Sequence, residues 1–197
     1  MQVLSLSDLV DVKAVEGLMA QLVRKIWRDY ETAETSLQSL LVSSITPLSR
    51  FAVSSRLQRA RDMLSSLEES GVKPYEPFII ESPEYVRLIC PPLIEAWGNR
   101  HFLIDGTHRI LASQYSRVTD IIVIVVKSSI FSPLPCDAVE WDAVEISEEQ
   151  KPIEQVLQPL KRSFIRPATM FFNSSEFLYK NVQELVEFCN DLTEKPR

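Results

Sequence analysis

The chain has few of the residues that most directly suggest metal or redox chemistry. Its 197 residues include two histidines and three cysteines. Cys90, Cys136 and Cys189 are too far apart for a zinc motif or a disulfide framework, so we expect reduced thiols in or near the core. The longest apolar run, residues 121–126, is far too short to span a membrane and has the length of a buried strand.

The first residues lack a basic region followed by an apolar one, which argues against a signal peptide. Together with the reduced thiols, this predicts a cytoplasmic protein without a membrane contact. A composition with 45% hydrophobic and 24% charged residues is typical of a soluble globular chain.

Positive charge is also scarce, with 21 Lys and Arg against 27 Asp and Glu. A net charge of −6 argues against a dedicated nucleic-acid binder, whose affinity comes mainly from neutralising phosphates. The local exception is a group of arginines, Arg50, Arg56, Arg59 and Arg61. This group is either a solvated helix face or a phosphate-facing patch, for which Arg50 and Arg56 are the candidates.

Hydrophobic periodicity predicts several helices. The first is a long amphipathic helix over residues 8–30, and the second covers residues 54–70, with Ser54 or Ser55 as its cap and Gly71 beyond its end. A final helix is predicted over residues 173–192, where Asn173 and Glu176 have the spacing of a capping box.

The strand signals lie between these helices. They predict strands over residues 37–47, 78–82 and 85–92, a hairpin over 93–105 that turns at Gly98-Asn99, a helix from Gly106, and a covered strand over 120–127. This order predicts an α+β (mixed α/β) fold. We expect an N-terminal helical extension (1–34), a core (35–130) and a mostly helical C-terminal extension packed on the core (131–197).

The sequence Asp-Gly-Thr-His-Arg at residues 105–109 is the strongest candidate site. Gly106 permits a sharp turn, and the helix start after it presents N–H groups suited to an anion. Thr107, His108 and Arg109 add further donors, while Asp105 can accept a proton or hold Mg²⁺. The residues alone leave an ordinary polar turn as an equal alternative.

The context of this pentapeptide resembles the ParB/sulfiredoxin family. The resemblance covers residues 37–127, where the strand, the DGTHR box, the following helix and the next strand come in the family's order. It implies a small sheet with flanking helices, in which Gly106, Thr107, His108 and Arg109 bind the phosphates of ATP or another nucleotide with Mg²⁺. Asp105 matches the acid that begins the box in the family's small-molecule kinases.

Three departures from the family narrow what the resemblance implies. Thr107 stands where sulfiredoxins carry their catalytic cysteine, and the chain has neither the arginine-rich box nor an obvious helix-turn-helix of the ParB clamps. The free serine kinases of the family carry a glutamate after the first-strand proline, where this chain has Leu48-Ser49-Arg50, and Glu76 is a candidate substitute.

These considerations lead to three hypotheses. The leading one is a nucleotide-dependent phosphotransferase acting on a small hydroxyl-bearing substrate, with Asp105 and His108 as catalytic residues and Asp105 as a Mg²⁺ ligand. The second is a non-catalytic nucleotide-sensing module that docks a protein partner, or a second copy of itself, through its terminal helices. The third is a ParB-like nuclease or DNA-associated protein, which the overall charge disfavours.

Overall fold

The fold is taken from a computed structural model, which describes residues 2–26, 30–127, 134, 136–159 and 177–194. The helices of these residues are α1 Val12–Ile26, α2 Ser54–Glu69, α3 Thr107–Tyr115, α4 Ile153–Val156 and α5 Val182–Glu194. The strands are β1 Gln2–Ser5, β2 Glu34–Leu41, β3 Ile45–Pro47, β4 Phe51–Val53, β5 Phe78–Glu81, β6 Val86–Ile89, β7 Leu93–Trp97, β8 Arg100–Asp105, β9 Asp120–Lys127, β10 Glu145–Ser147 and β11 Leu178–Tyr179. This confirms the predicted α+β class. In the described part of the chain, no helix is long and apolar enough to cross a membrane.

A five-stranded mixed sheet in the order β2-β9-β7-β8-β3 forms the centre of the fold. β7 and β8 form the predicted antiparallel hairpin, and β9 lies between β2 and β7 as the covered strand that its apolar run indicates. β3 runs parallel to β8, with Pro47 opposite Leu103. This pairing brings the chain that follows β3 to the end of β8 where the candidate site lies.

The two faces of this sheet are covered by different helices. One face shares a hydrophobic cluster with α1 and α5, and the other packs against residues of α2 and α3. The apolar stripes of the terminal helices are therefore buried in the core, including Leu18 and Leu22 of α1 and Leu185 and Cys189 of α5. Docking of a partner or a second copy through these helices, the second hypothesis above, stays a prediction.

The remaining strands form a four-stranded antiparallel sheet, β1-β5-β6-β11, and the parallel pair β10-β4. The sequence did not indicate β1, whose four residues pair with β5. The stretch expected to be a helical extension over 1–34 thus also supplies a strand to a sheet of the predicted core. A strand this short carries no clear periodic signal, because its stability comes from the partner strand.

The predicted helix caps are partly wrong. Neither Ser54 nor Ser55 caps α2, since Val53 occupies the cap position without a side-chain bond, but Gly71 does follow the helix with a φ of +70°. The helix begins one residue earlier than a serine cap requires because β4 runs directly into it.

The predicted start of the final helix is also wrong. Asn173 and Glu176 lie outside the described residues, and residues 178–179 form β11 rather than helix. α5 starts later, where the Asn181 side chain accepts a hydrogen bond of 2.9 Å from the Glu184 N–H. The same Asn-x-x-Glu spacing occurs in both places, and the pairing of β11 with β6 makes residues 178–179 a strand before α5 begins.

Candidate functional site

The DGTHR segment forms a tight corner between β8 and α3. β8 ends at Asp105, Gly106 adopts a φ of +109°, and α3 begins at Thr107. A Cβ atom on Gly106 would lie 2.8 Å from the Cβ of Pro92, closer than real Cβ atoms come to one another. Both the positive φ and this close approach require glycine at this position.

Two helices begin side by side at this corner. The Nε2 atom of His108, in the first turn of α3, accepts a hydrogen bond of 2.9 Å from the N–H of Val53, the residue before α2. Further along, the two helices share one hydrophobic cluster, which includes Leu57, Ala60, Leu111 and Ala112. Because the N-terminal end of a helix carries partial positive charge, two such ends reinforce each other here.

Thr107 supplies a side-chain donor at the same place. Its side chain is buried, with an exposed fraction of 4%, and its Oγ1 atom has no hydrogen-bond partner. A buried hydroxyl without a partner costs about 1–3 kcal/mol relative to one that is hydrogen-bonded. The first N–H groups of a helix also have no carbonyl one turn earlier to bind. The corner therefore presents donors that an anionic ligand would satisfy.

Arg109 faces the protein interior, and its predicted binding to phosphate stays a prediction. Its exposed fraction is 4%, its Nη2 atom lies 2.9 Å from Oδ2 of Asp105, and its Nη1 atom donates to the carbonyl of Cys90. The turn at Gly106 brings Asp105, the last residue of β8, next to Arg109 in the first turn of α3. Arg109 thus ties α3 to the chain that leads into β7, and it acts as a positioning residue.

Two other ionisable groups next to this ion pair are held in their neutral forms. Burial raises the pKa of the Cys90 thiol to about 12, with Asp105 adding to the rise and Arg109 opposing it. Burial likewise raises the pKa of Tyr75 to about 12, against the opposing effects of Arg109 and Ser113. Cys90 is therefore a poor nucleophile at neutral pH, so thiol chemistry at this corner has no support.

In each of the two candidate catalytic residues, one atom that could act as a base is engaged. Oδ2 of Asp105 accepts from Arg109, and Nε2 of His108 accepts from the Val53 N–H. Asp105 keeps a small exposed fraction of 8%. The described residues contain no group of three or more potential metal ligands. Mg²⁺ at Asp105 would therefore take its remaining ligands from phosphate oxygens and water.

The arginines of the predicted patch lie on and before α2: Arg56, Arg59 and Arg61 belong to the helix, and Arg50 precedes β4, the strand that leads into it. Arg50 follows β3, and its Nε atom is buried without a hydrogen-bond partner. Arg56, in the first turn of α2, donates a hydrogen bond of 2.7 Å to Gln150. Glu76 lies in the loop after α2, where its carboxylate accepts a hydrogen bond of 3.1 Å from the Lys73 N–H, and its role as a substitute for the missing glutamate stays a prediction.

Sequence reasoning missed the segment of residues 145–150, which we call the acidic strap. It begins with β10, which pairs in parallel with β4, and Ser54 donates a hydrogen bond of 2.7 Å to the carboxylate of Glu148. No local signal predicts this contact, because it joins residues 94 positions apart in the chain.

Comparisons with known proteins give little guidance. No family model matches the chain, and no curated protein matches it significantly. A solved structure of SbnI with a C-terminal truncation, from Staphylococcus aureus, is similar over 44% of this chain with 23% sequence identity and a TM-score of 0.29. The match spans 29% of that chain, and a similarity at this level supports no inference about fold or activity.

Proposed function

We propose that the chain binds the phosphate groups of a nucleotide at the corner where α2 and α3 begin. The observation that carries this proposal is the buried Thr107 hydroxyl, which has no partner at the start of α3. The ParB/sulfiredoxin resemblance of residues 37–127 supplies the ligand class, ATP or another nucleotide with Mg²⁺.

The electrostatics of the corner suit such a ligand although the whole chain is acidic. Two helix N-termini meet there, Arg56 lies in the first turn of α2, and Arg50 precedes β4, the strand that runs into that helix. Helix ends and arginines act over short distances, whereas the net charge of −6 is screened over about 10 Å at 0.1 M salt. Mg²⁺ bound to the phosphates would further reduce the repulsion.

Isothermal titration with ATP, ADP, CTP, GTP and inorganic phosphate, each with and without Mg²⁺, tests the proposal. Thr107→Val keeps the shape of the side chain and removes its hydroxyl, so we expect binding to weaken by about tenfold or more. The stability of the free protein should not fall, because the hydroxyl removed has no partner.

Thr35→Val is the matched control. Its hydroxyl oxygen is also buried and without a partner, although the residue as a whole is half-buried, and β2 lies at the opposite edge of the five-stranded sheet from β3. Binding in this variant should equal that of the parent. Failure of all five ligands to bind the parent, or an equal loss of affinity in both variants, would rule out phosphate binding at this corner.

The engaged atoms of Asp105 and His108 favour binding without turnover, and phosphotransfer is the second candidate. It is supported by the position of Asp105, which stays partly exposed beside the helix ends. Phosphoryl transfer needs mainly positioning and charge stabilisation, so one such carboxylate beside the phosphates would suffice.

The two candidates differ in ATP consumption. We expect bound ATP to stay intact when free serine and other small alcohols are supplied with Mg²⁺, as followed by the release of ADP. Steady ADP release by the parent, lost in a folded Asp105→Asn variant that still binds ATP, would instead establish the phosphotransferase.

A further inference from the structure

The acidic strap lies across the start of α2. Glu148 accepts the hydrogen bond from Ser54, the first residue of that helix, and Gln150 accepts the one from Arg56. In the register of the parallel pair, Ser147 lies opposite Val53, whose N–H binds His108. The strap therefore reaches the point where the two helices begin.

The chain on either side of the strap is firmly attached. Before it, the Trp141 indole donates a hydrogen bond of 2.7 Å to the Ile45 carbonyl. After it, the Arg50 N–H donates to the Val156 carbonyl at 2.9 Å, and Leu157 is buried. These contacts fix both ends of the strap independently of its own position over α2.

The strap itself is held weakly. Its strand is three residues long, its side-chain bonds to α2 are exposed, and Ile146 leaves 47% of its surface in solvent. Exposed hydrogen bonds contribute little to stability, and elements with few buried contacts open most readily. The strap can thus leave α2 while its attached ends stay in place.

Glu148 puts a negative charge where an anionic ligand would otherwise meet the positive end of α2. We propose that the acidic strap is an internal competitor, which occupies the start of α2 in the free protein and is displaced when the phosphates of a nucleotide bind. This inference rests on the proposed function, because it concerns the same corner. Charge repulsion and the loss of the Ser54 and Arg56 bonds are then part of what the ligand overcomes.

Neutralising the strap tests the proposal first. Glu148→Gln removes the charge and keeps a hydrogen-bond acceptor, and we expect it to tighten ATP binding by about two- to fivefold at low salt. Glu149→Gln is the matched control. Glu149 is the next residue in the chain, and its side chain makes no bond to α2 among the described contacts, so this variant should bind ATP as the parent does. Weaker binding by Glu148→Gln would overturn the proposal and make Glu148 part of the ligand site.

Locking the strap tests it in the opposite direction. Val53 and Ser147 are paired residues of two parallel strands, and the Cα atoms of such a pair lie close enough for a disulfide. The double variant Val53→Cys, Ser147→Cys should therefore form a disulfide on oxidation. The three native cysteines are buried and should not interfere. We expect the oxidised protein to bind ATP at least about tenfold more weakly than after reduction, and the two single variants to show no redox dependence. Equal binding in both redox states would overturn the proposal.

The outcomes separate this inference from the function on which it depends. If the parent binds ATP but neither the lock nor Glu148→Gln changes the affinity, the strap proposal fails and the proposed function stands. If the parent binds ATP and both the lock and Glu148→Gln change the affinity in the expected directions, both proposals hold. If no variant binds any phosphate ligand, both fail together.

Discussion

Replacing Arg109 tests whether the buried ion pair holds the corner in place. Arg109→Met retains most of the stem of the side chain but leaves the Asp105 carboxylate and the Cys90 carbonyl without their donor. Removing one partner of a buried pair costs about 3–5 kcal/mol, because the other charge stays buried alone. We expect this loss in the free energy of unfolding, measured by urea denaturation with tryptophan fluorescence.

A double-mutant cycle isolates the pair itself. Asp105→Asn keeps an acceptor for Arg109, so we expect a smaller loss of about 1–3 kcal/mol. In the double variant neither charge remains, and the total loss should be below the sum of the two single losses by about 1–3 kcal/mol. Arg59→Met, on the exposed side of α2, is the control and should change stability by less than about 0.5 kcal/mol.

One pattern of results would refute this assignment of Arg109. If Arg109→Met lost less than about 1 kcal/mol, added simply with Asp105→Asn, and yet no longer bound ATP, the guanidinium would be a phosphate ligand rather than a positioning group. The two roles predict changes in different quantities. Replacing a positioning residue lowers the free energy of unfolding, whereas replacing a ligand residue lowers the affinity for ATP at unchanged stability.

Two further predictions concern the same corner. Gly106→Ala should lower the free energy of unfolding by about 2–5 kcal/mol, because the new Cβ meets Pro92 and the backbone φ is positive. Gly98→Ala is the control and should lose only about 1–2 kcal/mol, because its φ is also positive but its Cβ meets nothing within 4 Å. Equal losses of the two variants in urea denaturation would contradict this prediction. Burial raises the pKa of Cys90 from 9 to about 12 and that of Tyr75 from 10 to about 12. Above pH 9 the folded state therefore keeps protons that the unfolded state releases. The contribution of these groups to stability should be complete below pH 9 and should fall as the pH rises toward 12. Tyr75→Phe should flatten the part of that decline above pH 10, and a pH-independent urea midpoint in the parent would refute the assignment.

Local patterns predicted the elements that position the site. The Gly98-Asn99 turn, the apolar run of β9 and the glycine before α3 each act within a few residues, so the hairpin, the covered strand and the corner follow from the sequence. Gly71 belongs with them, because its positive φ is a property of its own backbone.

The features that the sequence did not predict depend on distant partners. β1 exists because β5 pairs with it, and residues 178–179 are a strand because β6 lies beside them. The contact between Ser54 and Glu148 joins residues 94 positions apart. Propensity and periodicity carry no information about such pairs, which is why the strap was missed and the final helix was predicted to start too early.

The inward orientation of the Arg109 side chain could not be predicted from the pentapeptide at residues 105–109 alone. The ion pair joins Asp105, at the end of β8, to Arg109 in the first turn of α3, and the packing of residues 90–92 against this corner decides that the pair faces inward. Once it does, the donors left for a ligand are the Thr107 hydroxyl, the helix N–H groups and the neighbouring arginines. All of these recognise phosphate oxygens, and none distinguishes one base from another. Selectivity among nucleotides should therefore be weak at this corner, and any strong preference in the titrations must come from residues elsewhere on the protein.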